Sequence, residues 1–209
     1  MKSRQYYSLP LFFLIFILIV PISCSKDPSY LENAFLEKDY PIAVRNHITN
    51  DDIVCDAAGL HLNFSLGDAL VKNIAADEYL SICQRLEILN NTIATELATR
   101  SGEEIVSYGL LRLSASNQDS GVTSPPILFS GYDAVRIIAH FSVPDYYGTS
   151  MVSVCVPDTI DIFYFVGTGQ TIKNYPFNGS SVSLSYAYNP DLTGDQFADM
   201  VYAIIGIEL

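Results

Sequence analysis

Ser181-Val182-Ser183-Leu184-Ser185-Tyr186-Ala187-Tyr188 is the stretch that decides the fold. Val182, Leu184, Tyr186 and Tyr188 fall on one side of an extended chain, and Ser181, Ser183, Ser185 and Ala187 on the other. Successive side chains of a strand point to opposite faces, so a period of two predicts a strand with one face in a core and a polar face toward solvent. The alternation recurs along the carboxyl-terminal half. Leu111, Leu113 and Ala115 alternate with Arg112, Ser114 and Ser116. Val135, Ile137, Ala139, Phe141 and Val143 alternate with Arg136, His140 and Ser142, only Ile138 falling out of phase. Val152, Val154 and Val156, then Ile160, Ile162, Tyr164 and Val166, then the run from Met200 to Ile207 complete the series, and Leu60, Leu62, Phe64 and Leu66 start it upstream. Turn clusters such as Pro144-Asp145-Tyr146-Tyr147-Gly148 and Asn178-Gly179-Ser180 separate these runs at the short spacing of antiparallel sheets.

One segment has another period. Tyr79, Ile82, Cys83, Leu86, Leu89, Ile93 and Leu97 recur every three or four residues, predicting an amphipathic helix with Asp77 and Glu78 at its positive end and Gly102 beyond its finish. Asn90-Asn91-Thr92 are poor helix formers and weaken its middle, where the helix could break. Just before it, Ser65-Leu66-Gly67-Asp68 has the form of a capping box and predicts a helix start. No strand-helix-strand unit repeats. The chain is therefore expected to be mainly β, an antiparallel β-sandwich-like or α+β domain with one inserted helical segment.

The chain has 209 residues, and with 49% hydrophobic and 16% charged residues it is too apolar to stay disordered. Its formal net charge of −12 repels phosphate backbones, which argues against a nucleic-acid partner. Lys2 and Arg4 precede an apolar stretch from Leu9 to Ile22 that ends in Ser23, Cys24 and Ser25, the layout of a secretory signal. Ser23-Cys24, followed by Ser25, Lys26 and Asp27, resembles the lipobox of Gram-negative bacterial lipoproteins. That resemblance, which covers only the targeting segment, implies lipidation of Cys24 and a membrane-anchored place in the cell envelope, at the outer membrane or the periplasmic face. The alternative is cleavage after Ser25 and a secreted protein. The domain plan that follows is a signal peptide at 1–23, a lipidated amino terminus and linker at 24–52, and a β-rich domain at 53–209.

Candidate sites are few. Asn189, Asp191, Thr193 and Asp195 place oxygen-bearing side chains at alternate positions, with Gly194 at the bend, as in the first half of an EF-hand-type calcium loop; Met200 stands where the bidentate Glu is expected. The competing account is an ordinary turn built by Pro190 and the Asx tendency of Asn and Asp. Calcium is the one cofactor for which the chain shows any pattern. Tyr146, Tyr147, Tyr175 and Phe177 fall in predicted turns, where flat rings can hold a glycan or protein partner or else cap the core. His47, His61 and His140 show no ligand spacing, although His61 and His140 share polar strand faces and could meet. Gly167-Thr168-Gly169 lacks the third glycine and following helix of a phosphate loop and reads as a turn. Cys55, Cys83 and Cys155 are too far apart for a CxxC motif; they are buried small hydrophobes, or two of them pair. No local catalytic signature is present, so a non-enzymatic binding or display domain is expected. The alternatives are a subunit of a pilus-like surface assembly, using its apolar terminal strand, and a small envelope hydrolase whose carboxylates converge only in the fold.

Overall fold

The computed structural model describes residues 45–98, 102–128, 130–157, 159–177, 179 and 181–208. Its elements, in chain order, are β1 (Ile53–Asp56), β2 (Gly59–Leu62), α1 (Leu66–Val71), α2 (Ala76–Leu97), β3 (Glu103–Ser114), β4 (Val122–Thr123), β5 (Ile127–Leu128), β6 (Ala134–Ser142), β7 (Thr149–Val156), β8 (Thr159–Val166), β9 (Gly169–Pro176), β10 (Ser181–Asn189) and β11 (Phe197–Ile207). The domain is mainly β. One sheet runs β4-β10-β7-β8, with β5 also paired to β10. A second runs β3-β11-β6-β9, and β1 and β2 form a separate hairpin. Every described pairing is antiparallel.

The sandwich core lies between the two larger sheets. Val182, Leu184, Tyr186 and Tyr188 of β10 and Val152, Val154 and Val156 of β7 meet Ile137, Ala139 and Phe141 of β6 and Met200, Tyr202 and Ile204 of β11. The serines of β10 lie on the opposite, partly exposed face, as their alternation predicts. The other face of the four-stranded sheet is covered too. Ile138, Leu110, Val201, Ala203 and Ile205 project into a second core made by the β1-β2 hairpin and by Tyr79, Ile82, Leu86, Leu89 and Ile93 of α2. Ile138 is therefore no irregularity. It faces a helix while Ile137 faces the partner sheet, and β11 reads as almost continuously apolar because it is wrapped on both sides.

This third layer changes one expectation. The polar face of β6 does not meet solvent: Arg136 and His140 are buried, because the helix and hairpin layer lies against that side of the sheet. Nor does α2 break at Asn90-Asn91-Thr92. Asn90 Oδ1 accepts from the Leu60 amide at 2.8 Å and its Nδ2 donates to the Leu60 carbonyl at 2.9 Å, clamping hairpin to helix. Thr92 Oγ1 donates back to Ile88 O and accepts from Gln170 of β9. Weak helix formers are tolerated where their side chains tie elements together. The box at Ser65 caps α1 reciprocally, with Asp68 N donating to Ser65 Oγ and Ser65 N to Asp68 Oδ2. Within 45–52, Ile48 is buried and its amide donates to Glu78 Oε1. The carboxyl-terminal strand pairs with β3 and β6 of its own chain. Among the described residues no helix is long and apolar enough to cross a membrane.

Neighbouring residues facing different cores give a direct check. Ile137→Ala and Ile138→Ala are each expected to cost about 2–5 kcal/mol in urea denaturation. A loss under about 0.5 kcal/mol for Ile138→Ala alone, the size of a typical surface substitution, would contradict a sheet covered on both faces.

Candidate functional site

Beneath α2 lies a cluster of buried charges. Asp199 of β11 accepts from Arg112 of β3 through Nε at 2.8 Å and Nη2 at 2.9 Å, and from Arg85 of α2 through Nη2 at 2.9 Å. Arg112 Nη1 also donates to Glu78 and to the Ile48 carbonyl. The other oxygen of Glu78 lies 3.0 Å from His47 Nδ1, and Phe197 carries the His47 ring edge-on and the Arg112 guanidinium over its face. Two guanidiniums face two carboxylates, so formal charge balances without an external ion. Burial works to lower the Arg112 pKa, but its bonds to Asp199 and the charges of Asp199 and Glu78 outweigh that and raise it. A cleft of about 330 Å³ opens beside the cluster, lined among others by His47, Asn50, Arg112, Asn117 and Phe197. Its guanidinium already makes four hydrogen bonds within the chain, which leaves little with which to grip an anion. A third guanidinium, that of buried Arg136, binds Asn174 Oδ1, Glu103 and Glu96. Both clusters hold layers together.

The residues singled out from sequence separate clearly. Tyr175 and Phe177 are buried in the sandwich core, and the Tyr175 hydroxyl donates to Asp161 Oδ2 at 2.8 Å. Tyr146 and Tyr147 are 79% and 80% exposed, edge to face at 5.4 Å. In the loop after β10, Asp191 Oδ1 accepts from Gln118 Nε2, and the Thr193 hydroxyl and amide both donate to Gln196 Oε1. These bonds are those of a turn, with Leu192 buried beneath it. Among the described residues no three His, Cys, Asp or Glu side chains gather to hold a metal. His61 contacts Gly59 O and Asp56, whereas His140 lies on β6 and feels the charge of Arg85. Cys55 and Cys155 are half-buried thiols, and Cys83 is half-buried on α2. Cys24 lies outside the described residues.

The unexpected feature is strand β8. Phe163 and Phe165 face the sandwich core, where Phe165 stacks on Phe141 at 4.9 Å and Lys173 Nζ lies 4.9 Å from the Phe163 ring centroid. The aliphatic row therefore points outward: Ile160, Ile162, Tyr164 and Val166 are 70%, 52%, 67% and 63% exposed. In register beside them on β7 stand Cys155, Ser153, Met151 and Thr149, and beside those on β10 Ser183, Ser185, Ala187 and Asn189. None of these residues carries charge, in a chain of net −12. Asp119 lies in a depression of about 300 Å³ that also takes in Met151 and Ser185, and Asp145 stands in the loop bearing Tyr146 and Tyr147. That loop abuts the end of β8, where Gly167 N donates to Gly148 O at 2.9 Å. Alternation predicted β8 as a strand with Ile160, Ile162, Tyr164 and Val166 as its core row, and the structure turns that row outward because Phe163 and Phe165 fill the core side.

No known family model matches this chain, nor does any curated protein.

Removing the shared carboxylate should leave buried Arg85 without its carboxylate and Arg112 with Glu78 alone. Asp199→Asn is expected to lose about 3–5 kcal/mol in denaturant unfolding, and a loss below about 1 kcal/mol would contradict the cluster's structural role. Burial, and then the Arg85 charge, hold the His140 pKa below its ordinary value. An unfolded histidine takes its proton near pH 6.5, so between that value and the lower folded one the unfolded state binds more protons. Stability should thus fall as pH drops below about 6.5, and His140→Leu should flatten that part of the stability profile; an unchanged slope would exclude His140 as its source.

Proposed function

We propose that this is an exported lipoprotein, anchored through Cys24 to an envelope membrane, whose β-sandwich is a binding or display domain rather than a catalyst and works through the outer face of the β7-β8 side. The observation that carries this reading is the exposed row Ile160, Ile162, Tyr164 and Val166 on an uncharged sheet face, flanked by Tyr146 and Tyr147. Contiguous exposed apolar surface on a domain marks an interaction site more often than an accident of folding. Aromatic rings at the end of that face suit a protein or glycan surface, since they offer flat contact area at little loss of side-chain freedom. The charged cluster beneath α2 supports the non-catalytic part. His47 is engaged by Glu78 and Phe197, and Arg85, Arg112, Arg136, Glu78 and Asp199 are spent on one another or on neighbouring structural groups.

The anchor is supported by the Lys2, Arg4, Leu9 to Ile22 and Ser23-Cys24 sequence alone. A diacyl chain would hold the protein to a bilayer by apolar burial, independently of its acidic surface. Intact mass of the protein extracted from membranes, beside a Cys24→Ala variant, tests it. The expected result is an acylated amino-terminal cysteine, with the variant shifted to the soluble fraction. A mature chain that begins at Lys26 without lipid would replace the anchor by secretion.

A further inference from the structure

We infer that β8 is a self-association edge, on which a second copy of this chain adds its own β8 antiparallel to form one sheet continuous across two molecules. This rests on the reading of the β7-β8 face as the binding surface and names its occupant.

The four edges of the two larger sheets are not alike. The β4-β5 edge is built of two-residue strands separated by Ser124-Pro125-Pro126. The β9 edge ends in Pro176, and the β3 edge carries Glu103 and Glu104 and a register shift against β11. Short strands, prolines, charges and bulges are the devices by which sheets refuse further strands. β8, Thr159-Ile-Asp-Ile-Phe-Tyr-Phe-Val166, has eight residues, no proline, no lysine and no register shift against β7. Its one charge, Asp161, turns inward to accept from Tyr175. The edge is open.

Three observations point to a copy of the same chain as the partner. β8 carries apolar residues on both faces, Phe163 and Phe165 inward and Ile160, Ile162, Tyr164 and Val166 outward, yet among the described residues only the inward pair is covered. The outward row is self-complementary: a two-fold axis at Phe163 sets Ile160 opposite Val166 and Ile162 opposite Tyr164 of the second copy, so every outward pair is aliphatic or aromatic. Such an isologous arrangement closes at two and leaves no free end. Charge agrees with this. Two chains of net −12 repel, and they approach most easily where the facing residues are uncharged; the outward residues of β8 and of β7 beside it are so, Asp119 standing farther in, beside Met151 and Ser185. An interface of one strand and one side-chain row is small, so the dimer should be reversible and concentration-dependent.

Cysteine cross-linking in cells producing the full chain tests the register. Residues directly opposite on antiparallel strands have Cβ atoms about 4.5–5.5 Å apart, close enough for a disulfide after a small adjustment. The paired variant Ile162→Cys with Tyr164→Cys should give a disulfide-linked dimer on mild oxidation at least tenfold above either single variant and above the native-cysteine background. All these positions are exposed, and circular dichroism of each variant reports whether the fold is kept. Ser183→Cys, on the same face but away from the edge, should give only background. A paired variant no better than the singles overturns the inference. Labelling with a water-soluble maleimide then separates the two readings. Uncross-linked thiols that are nevertheless shielded would leave the face as a binding surface for a different occupant, lipid included, whereas thiols that label freely would remove the binding reading as well.

Discussion

Asp199 is the point on which the layers hang. It lies on β11, the strand wrapped on both faces, and takes hydrogen bonds from Arg112 on the neighbouring strand and Arg85 on the covering helix. Through Arg112 the network reaches Glu78, and through Glu78 the backbone of Ile48 and the ring of His47. Apolar contact alone would let α2 slide along the sheet at modest cost. A misplaced helix would instead strand a buried charge, which costs several kcal/mol, so the ions fix the position in which Ile82, Leu86 and Leu89 meet Ile138 and Val201. The wrapped strand, the polar face hidden on β6 and the shape of the second core all follow.

How much of this was legible in the sequence depends on the range of the interaction. Alternation in β10, β7 and β6 gave the sandwich, and the three-four spacing from Tyr79 to Leu97 gave the helix, because both patterns are local. Ser65 and Asp68 capped a helix three residues apart, as local chemistry should. What could not be read was which strand face a distant element covers. Arg136 and His140 looked like solvent-facing residues, since the helix that buries them lies far upstream. The strands β1, β4, β5 and β9 lacked a clear alternation, being short or at edges. Arg85 and Asp199 are separated by 114 residues, and neither position carries a local mark of its partner. One signal could have been read: Ile138, the residue out of phase in β6, announced a second core.

The aromatic residues make the same point. Tyr175 and Phe177 fill the sandwich core, while Tyr146 and Tyr147 stand in water, although all four occupied turn-like sequence. On β8 the ambiguity is sharper, because both faces are apolar. Packing resolved it: Phe163 and Phe165 reach Lys173 and Phe141, and Ile160, Ile162, Tyr164 and Val166 are left outside. A sequence that satisfies its core and still places an aliphatic row in solvent departs from consistent patterning, and such departures concentrate where a protein does its work.

The proposed pairing would cover in the dimer a β8 edge that no described strand covers in the single molecule. Hydrogen exchange, followed by mass spectrometry as protein concentration is raised, tests it most directly, because an unpaired edge amide exchanges quickly and a paired one slowly. The expected result is protection of residues 159–166 that climbs with concentration, while peptides from β11 stay protected throughout. Exchange of residues 159–166 that is fast and indifferent to concentration, with β11 protected as before, would contradict it.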